Sequence, residues 1–124
     1  MTKSDLDTMA AAWIEAALFT APEEAIPPKS GEFDASPHLG RVTKAFKAEA
    51  AATCRAFFLA NAADLAEYPA DRAGHDLWYT TNRHGCGYWE GDHCDKATGE
   101  RLTAAAHKLP ERNVYRQRGW YGIE

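Results

Sequence analysis

The sequence has an odd number of cysteines, fewer basic than acidic residues and no long apolar run. Its N-terminus, MTKSDLDT, lacks the basic segment followed by an apolar core that a signal peptide requires. The three cysteines are therefore expected to be reduced thiols in a bacterial cytoplasm. The apolar runs fall far short of the ~20 residues that a membrane helix needs. These absences predict a soluble cytoplasmic protein that neither spans nor binds a membrane.

Acidic side chains are concentrated in the N-terminal segment of the chain. Residues 1–34 carry two lysines against seven Asp or Glu, whereas residues 75–124 carry seven charges of each sign, and the net charge is −4. Such a surface argues against binding to free duplex nucleic acid, because phosphate binding requires a net basic protein surface. It favours a basic protein partner. The acidic residues predicted to contact it are Glu23, Glu24, Glu32 and Asp34.

Three segments have the apolar spacing of helices. Residues 4–19, 36–68 and 98–110 each carry apolar or small side chains three or four positions apart, and capping residues or prolines lie at their ends. Residues 20–35, which contain three prolines and a glycine, are typical of a surface loop. At 124 residues the chain is long enough for one domain with a single core.

Strand-forming residues dominate the remaining segments. Residues 75–82 and 85–91 favour a β-hairpin around the turn Asn82-Arg83-His84-Gly85, and residues 113–117 and 120–123 favour two further short strands. The predicted fold class is therefore α+β: two N-terminal helices followed by a ββαββ unit. Its antiparallel sheet would carry the helices packed on one face.

The predicted hairpin also carries a distinctive motif. Gly-His-Asp-Leu-Trp at residues 74–78, followed by Thr-x-Asn-x-His-Gly-x-Gly-Tyr-Trp at 80–89, resembles a family of small uncharacterised proteins encoded by tailed phages, prophages and other mobile elements. Segments of all three predicted helices are also similar to that family. The resemblance implies a genetic context and no established chemistry. Arg83, Cys86 and residues 92–95 depart from the family's usual pattern, so metal or thiol chemistry there is not implied by it.

Seven potential metal ligands lie within twenty positions of this region. Zinc uses these donor types, and a small metal-dependent hydrolase is one alternative function. The spacing lacks a paired Cys-x-x-Cys and matches no standard zinc module, so no cofactor is expected. The simpler interpretation is that these groups bond the backbone or lie in the turn. The candidate ligands are His75, Asp76, His84, Cys86, Asp92, His93 and Cys94.

A cysteine nucleophile is a second alternative. His84 and Cys86 are two residues apart, which on a strand places them on one face, and Gly85 and Gly87 leave room for a substrate. No third group is evident to orient the imidazole, and a reactive thiol needs a lowered pKa. A small packed side chain is the simpler interpretation of Cys86.

Aromatic residues offer candidate contact surfaces. Adjacent aromatics on a strand face opposite ways, so one of each pair at 78–79 and 88–89 should meet solvent or a partner. The predicted partner-binding residues here are Trp78, His84, Tyr88 and Trp89. Near the C-terminus, cations alternate with aromatics, as in proteins that bind single-stranded nucleic acid, although arginines that keep an edge hairpin soluble explain the pattern more simply. These residues are Arg112, Tyr115, Arg116, Arg118, Trp120 and Tyr121.

Charge, aromatic content and the motif together favour a non-enzymatic interaction protein of a phage or mobile element. Host defence complexes that hold nucleic acid expose basic grooves, which a small acidic domain can occupy as a competitor. The expected partner is therefore a host protein such as a CRISPR-Cas or restriction component, inhibited in the manner of anti-CRISPR or antirestriction proteins. A metal or cysteine hydrolase and a single-strand-binding accessory protein remain the alternatives.

Overall fold

The computed structural model describes residues 1–21 and 40–124. These residues form five α-helices, one short 3-10 helix and a two-stranded antiparallel hairpin at the C-terminus. Within these two ranges, no helix has both the length and the apolar character that crossing a bilayer demands. The elements in chain order are α1 (Lys3–Phe19), α2 (Lys44–Ala60), α3 (Ala62–Leu65), α4 (Ala70–Thr81), the 3-10 helix (Tyr88–Glu90), α5 (Lys96–Ala106), β1 (Val114–Gln117) and β2 (Trp120–Ile123).

The predicted α+β fold with a ββαββ unit is wrong, because its first strand is the helix α4. This helix begins directly after Pro69 and buries Ala73, Leu77 and Trp78 along one side. The four-residue spacing from Ala73 to Leu77 has a helical period, which the strand prediction missed because it began at His75. Preference for strand or helix is a weak local signal, and here packing against α1 overrides it.

The predicted return strand over residues 85–91 is also absent. The chain turns at Arg83, whose φ is 58°, and then forms the 3-10 helix at Tyr88–Glu90. Gly87 and Gly91 have φ values of 156° and 76°, which an extended ladder does not contain. His75 and His84 therefore do not share a β-hairpin: His75 lies on α4 and His84 in the turn that follows it.

The first predicted helix is confirmed as α1, which ends at Phe19. Its N-terminal cap is formed by Thr2 and Asp5. The Thr2 hydroxyl accepts a hydrogen bond from the Asp5 amide at 3.1 Å, and the Asp5 carboxylate accepts one from the Thr2 amide at 2.9 Å. This reciprocal arrangement satisfies two amides at the helix start.

The helices predicted over residues 36–68 and 98–110 correspond to α2 and α5, and the described start of each differs from the predicted one. The Thr43 hydroxyl caps α2, whereas the predicted start at residue 36 and most of the predicted loop over 20–35 lie outside the described residues. The carboxylate of Asp95 caps α5 by accepting from the Thr98 amide at 2.7 Å, so this helix begins two residues before the predicted start at residue 98. Side-chain oxygens at these positions bond amides that have no partner within the helix.

The C-terminal hairpin is confirmed. β1 and β2 pair antiparallel in a register that places Gln117 opposite Trp120, with Arg118-Gly119 as the turn. Both turn residues have positive φ, as a two-residue turn matched to strand twist requires. The edge of β2 that faces away from β1 pairs with residues 41–43. There the Tyr121 amide donates to the Arg41 carbonyl at 2.8 Å. β2 is thus the central segment of a small sheet against α2.

The core lies where α1 crosses α4. The Trp13 and Trp78 rings meet edge to face with centroids 5.0 Å apart, and Phe46 of α2 packs against Trp13 at 6.2 Å. Gly74 on α4 allows the two helices to approach closely, since a Cβ there would lie 2.1 Å from the Met9 carbonyl oxygen. This crossing holds the C-terminal end of α4, and the loop that follows it, against the rest of the domain.

Candidate functional site

Residues 83–94, which join α4 to α5, contain seven of the candidate functional residues and are called the Trp89 loop below. Its anchor is Tyr88, which is fully buried. The Tyr88 hydroxyl donates to the Ala73 carbonyl at 2.7 Å, its amide donates to the Thr80 hydroxyl at 3.2 Å, and its ring stacks on Phe57. Tyr88, predicted as a partner contact, is therefore a core residue that fixes the loop to α4.

Gly87 packs against the ring of Trp89. A Cβ at Gly87 would lie 2.3 Å from the Thr80 hydroxyl oxygen and 2.4 Å from the Trp89 ring, so only glycine fits between them. The Gly87 amide donates to the Glu90 carboxylate at 3.0 Å, which closes the turn. Trp89 is left 43% exposed. Gly85, in contrast, has open space around its Cα.

The other predicted partner residues differ in exposure. Trp78 is buried, and its indole N–H donates to the Thr20 hydroxyl at 2.7 Å, so it cannot meet a partner. His84 is half-buried with its ring edge toward Tyr79. Glu23, Glu24, Glu32 and Asp34 lie outside the described residues. Of the four predicted contacts within the described ranges, Trp89 is the most accessible large side chain.

Three carboxylates follow Trp89 closely in the chain. Glu90, Asp92 and Asp95 are all exposed, and the bonds from the Gly87 and Thr98 amides hold Glu90 and Asp95 in place. Sequence reasoning placed the acidity in residues 1–34 and missed this group. The signal was available in the spacing of Glu90, Asp92 and Asp95 just after the aromatic pair. The loop and its junction with α5 therefore carry an exposed aromatic ring and three exposed carboxylates.

A second group of polar side chains lies beneath the loop, around Asp76 of α4. The Tyr68 hydroxyl donates a hydrogen bond to the Asp76 carboxylate, and the His93 ring packs against Tyr68 with centroids 5.4 Å apart. Burial raises the pKa of Asp76, while the Tyr68 hydrogen bond and the His93 side chain act in the opposite direction. Burial and the hydrogen bond to Asp76 also raise the pKa of Tyr68.

Replacement of Asp76 by asparagine is expected to stabilise the protein progressively, relative to wild type, as pH rises. A raised pKa means that the folded state binds the Asp76 proton more tightly than the unfolded state does. The wild type therefore loses the stability that this proton contributes as pH rises above the unfolded pKa of 3.8 and then through the higher folded pKa. Asparagine can still accept from the Tyr68 hydroxyl, and it carries no charge. Thermal melts of both proteins from about pH 4 to about pH 8 measure the difference.

Asp5→Asn is the matched control for Asp76→Asn. Hydrogen bonds from Thr2 lower the pKa of Asp5, so that carboxylate contributes stability above its unfolded pKa and loses the contribution as pH falls. The two variants should therefore change with pH in opposite directions. A melting difference for Asp76→Asn that is constant or shrinks with rising pH would contradict the burial of an ionisable carboxyl at this position.

The candidate zinc ligands are not gathered around one point. His75 contacts Glu15 of α1, with Nε2 3.1 Å from the carboxylate oxygen, whereas His93 packs on Tyr68. Across residues 1–21 and 40–124, no three His, Cys, Asp or Glu side chains are arranged to hold a metal ion. The fold separates the candidates because α4 is a helix, and residues on different sides of a helix cannot converge.

The thiol environment is unfavourable to a nucleophile. Burial, followed by the negative charges of Glu90 and Asp76, raises the pKa of Cys86, and burial with nearby carboxylates also raises that of Cys94. Cys54 is buried on α2, and its pKa is raised to about 12. Within the described ranges, His84 and Cys86 share no hydrogen bond. A reactive cysteine needs the opposite conditions.

Comparison of the chain with protein-family models, with curated proteins and with solved structures finds no match. The chemistry of the Trp89 loop is therefore inferred from its own exposure, anchoring and charge. These three properties describe a rigid aromatic surface feature in an acidic setting. Exposed aromatic side chains of this kind occur in surfaces that contact other proteins.

Proposed function

We propose that this protein is a phage or mobile-element inhibitor that binds a basic surface of a host protein through the Trp89 loop. The expected target is a nucleic-acid-directed defence component of the CRISPR-Cas or restriction type. One observation carries the proposal: Trp89 is 43% exposed while its neighbour Tyr88 is fully buried. The loop therefore presents an aromatic side chain to a partner from a fixed base.

Anchoring of this kind favours tight binding. A ring that is already held in position loses little conformational entropy when a partner covers it. Tryptophan is enriched among the few interface residues that dominate binding energies, and its ring face attracts the guanidinium and ammonium groups of Arg and Lys. Trp89, held between the Gly87 turn and Glu90, has these properties.

The carboxylates that follow Trp89 support a basic partner. Glu90, Asp92 and Asp95 are exposed and follow Trp89 within six residues, and the whole chain has a net charge of −4. Opposite charges across an interface speed association and exclude wrong partners. A groove that normally holds nucleic acid is lined by Arg and Lys, so its charge complements this surface. Glu23, Glu24, Glu32 and Asp34 would add to the same field and remain part of the proposal.

Two further considerations support binding by a mobile-element protein over catalysis. The raised pKa values of Cys86 and Cys94 disfavour the thiolate that a cysteine enzyme needs. The motif at residues 74–78 and 80–89 resembles proteins of phages and mobile elements, which supports the genetic context. An inhibitor of host defence is a function that fits this context.

Trp89→Ala is expected to weaken binding to the target by about 30-fold or more, the effect of losing an interface anchor worth ~2 kcal/mol. Trp120→Ala is the matched control, since Trp120 is a similarly exposed tryptophan on the C-terminal hairpin. The measurement is biolayer interferometry against a panel of purified restriction enzymes and Cas effector proteins from which nucleic acid has been removed. Binding by wild type should also weaken as salt rises.

Three outcomes would contradict the proposal. Wild type could bind no member of the panel, Trp89→Ala could bind as tightly as wild type, or Trp120→Ala could lose as much affinity as Trp89→Ala. Circular dichroism melts of both variants show whether the fold is retained. Because both side chains are exposed, each variant is expected to melt close to wild type.

A further inference from the structure

We infer that the outer face of the C-terminal hairpin is a second binding site, for single-stranded nucleic acid. The register places Tyr115 opposite Gly122 and Gln117 opposite Trp120, so Tyr115 and Trp120 project from the same face. They are 40% and 47% exposed. The opposite face carries Tyr121, which is buried in the core. Thus one side of the hairpin holds it to the domain and the other displays two aromatic rings.

The Tyr115 ring is held in position. A Cβ at Gly122 would lie 2.4 Å from Cζ of Tyr115, which shows that the ring packs directly over the glycine backbone. Trp120 is the diagonal neighbour across the strand pair, a separation of about 7–8 Å. Two rings at this spacing on a supported sheet provide adjacent stacking surfaces for two bases of one strand.

The charge of this region is opposite to that of the Trp89 loop. Residues 114–123 contain two arginines and no acidic residue. Arg41, on the segment that pairs with β2, approaches the turn, since its Nη1 lies 3.5 Å from a Cβ built at Gly119. Arg41 and Arg118 are exposed, whereas Arg116, which is opposite Tyr121 in the register, lies on the other face with its guanidinium over the Tyr121 ring. Across the described ranges, none of these three guanidinium groups forms a salt bridge.

The exposed rings, together with the Arg41 and Arg118 guanidinium groups, which pair with no carboxylate of the described residues, indicate a single strand as the occupant. Bases stack on exposed rings, and phosphates pair with guanidinium groups, whichever sequence is present. A duplex keeps its bases stacked inside and cannot use Tyr115 or Trp120 in this way. Residues 114–123, which contain no acidic residue, also offer little to a basic protein groove. The site is independent of the function proposed for the Trp89 loop.

The test uses fluorescence anisotropy with a labelled oligothymidylate of about 20 nucleotides at about 50 mM salt, because stacking sites are sequence-tolerant and salt-sensitive. Trp120→Ala should weaken binding by about tenfold or more, and Trp120→Phe, which keeps a stacking ring, should stay within about threefold of wild type. Trp89→Ala is the matched control and should bind as wild type does. Arg41→Ala combined with Arg118→Ala should weaken binding and flatten its salt dependence.

The inference is overturned if wild type does not bind the oligothymidylate, or if it binds a duplex of the same length equally well. It is also overturned if Trp89→Ala loses as much affinity as Trp120→Ala. Should Trp120→Ala fail to fold, Trp120→Phe and the double arginine variant decide between the outcomes. Self-association in sedimentation that disappears in Trp120→Phe would instead assign this face to contact between copies of the chain. None of these results depends on whether the Trp89 loop binds a host protein.

Discussion

Gly74→Ala is expected to destabilise the protein by about 3 kcal/mol, the upper part of the range for overpacking a core. The new methyl group would lie 2.1 Å from the Met9 carbonyl oxygen and 3.0 Å from Cβ of Ala12. The nearer contact is to backbone, so α1 and α4 must move apart. Alanine favours a helix over glycine by about 1 kcal/mol, and this gain is smaller than the cost of separating the helices. Urea denaturation followed by circular dichroism measures the change.

Gly85→Ala is the matched control for Gly74→Ala. No atom lies within 4 Å of a Cβ built at Gly85, so this variant should remain within about 0.5 kcal/mol of wild type. Equal stabilities for the Gly74 and Gly85 variants would show that α1 and α4 do not cross as closely as described.

Tyr88→Ala is expected to cost about 3–5 kcal/mol, the range for removal of a fully buried aromatic side chain. The ring stacks on Phe57 with centroids 5.9 Å apart and meets Tyr68 edge to face at 5.4 Å, so its loss leaves a cavity beneath the Trp89 loop. Chemical denaturation measures the stability. Limited proteolysis of the native protein should then show faster cleavage within residues 83–94, because the loop has lost its anchor.

Tyr88→Phe separates the contribution of the hydroxyl from that of the ring. It removes only the hydrogen bond to the Ala73 carbonyl, and a single such bond contributes about 1 kcal/mol. Partner binding through Trp89 should survive in this variant. A Tyr88→Ala protein as stable as wild type that nevertheless fails to bind its target would return Tyr88 to the role of a direct contact.

The Trp89 loop and the C-terminal hairpin differ in the charged residues that they carry, so the two proposed binding surfaces should attract different partners. Glu90, Asp92 and Asp95 follow Trp89 closely in the chain, whereas the exposed Arg118 lies in the turn directly before Trp120. A protein with both surfaces could contact the basic groove of a defence complex and the single strand that the groove exposes. Trp89→Ala and Trp120→Ala test the two surfaces separately.

The sequence by itself determined the elements whose signals are local. The apolar spacing from Met9 to Leu18 predicted α1, and Arg118-Gly119 between two aromatic segments predicted the turn of the C-terminal hairpin. Turn chemistry and a helical period act over a few neighbouring residues. They are therefore readable without knowledge of what the element packs against. The helical nature of α5 was readable for the same reason, although its cap was not.

Only the tertiary structure decided the conformation of the motif at residues 74–89. Its β-branched and aromatic residues favour a strand locally, yet Gly74 and Trp78 pack against α1 and hold the segment as a helix. The same packing decides that Tyr88 is buried and Trp89 exposed, a choice that two adjacent aromatics leave open. Burial of aromatic surface and close helix contact contribute several kcal/mol, whereas strand preference spans about 1 kcal/mol. Long-range packing therefore determines this part of the protein.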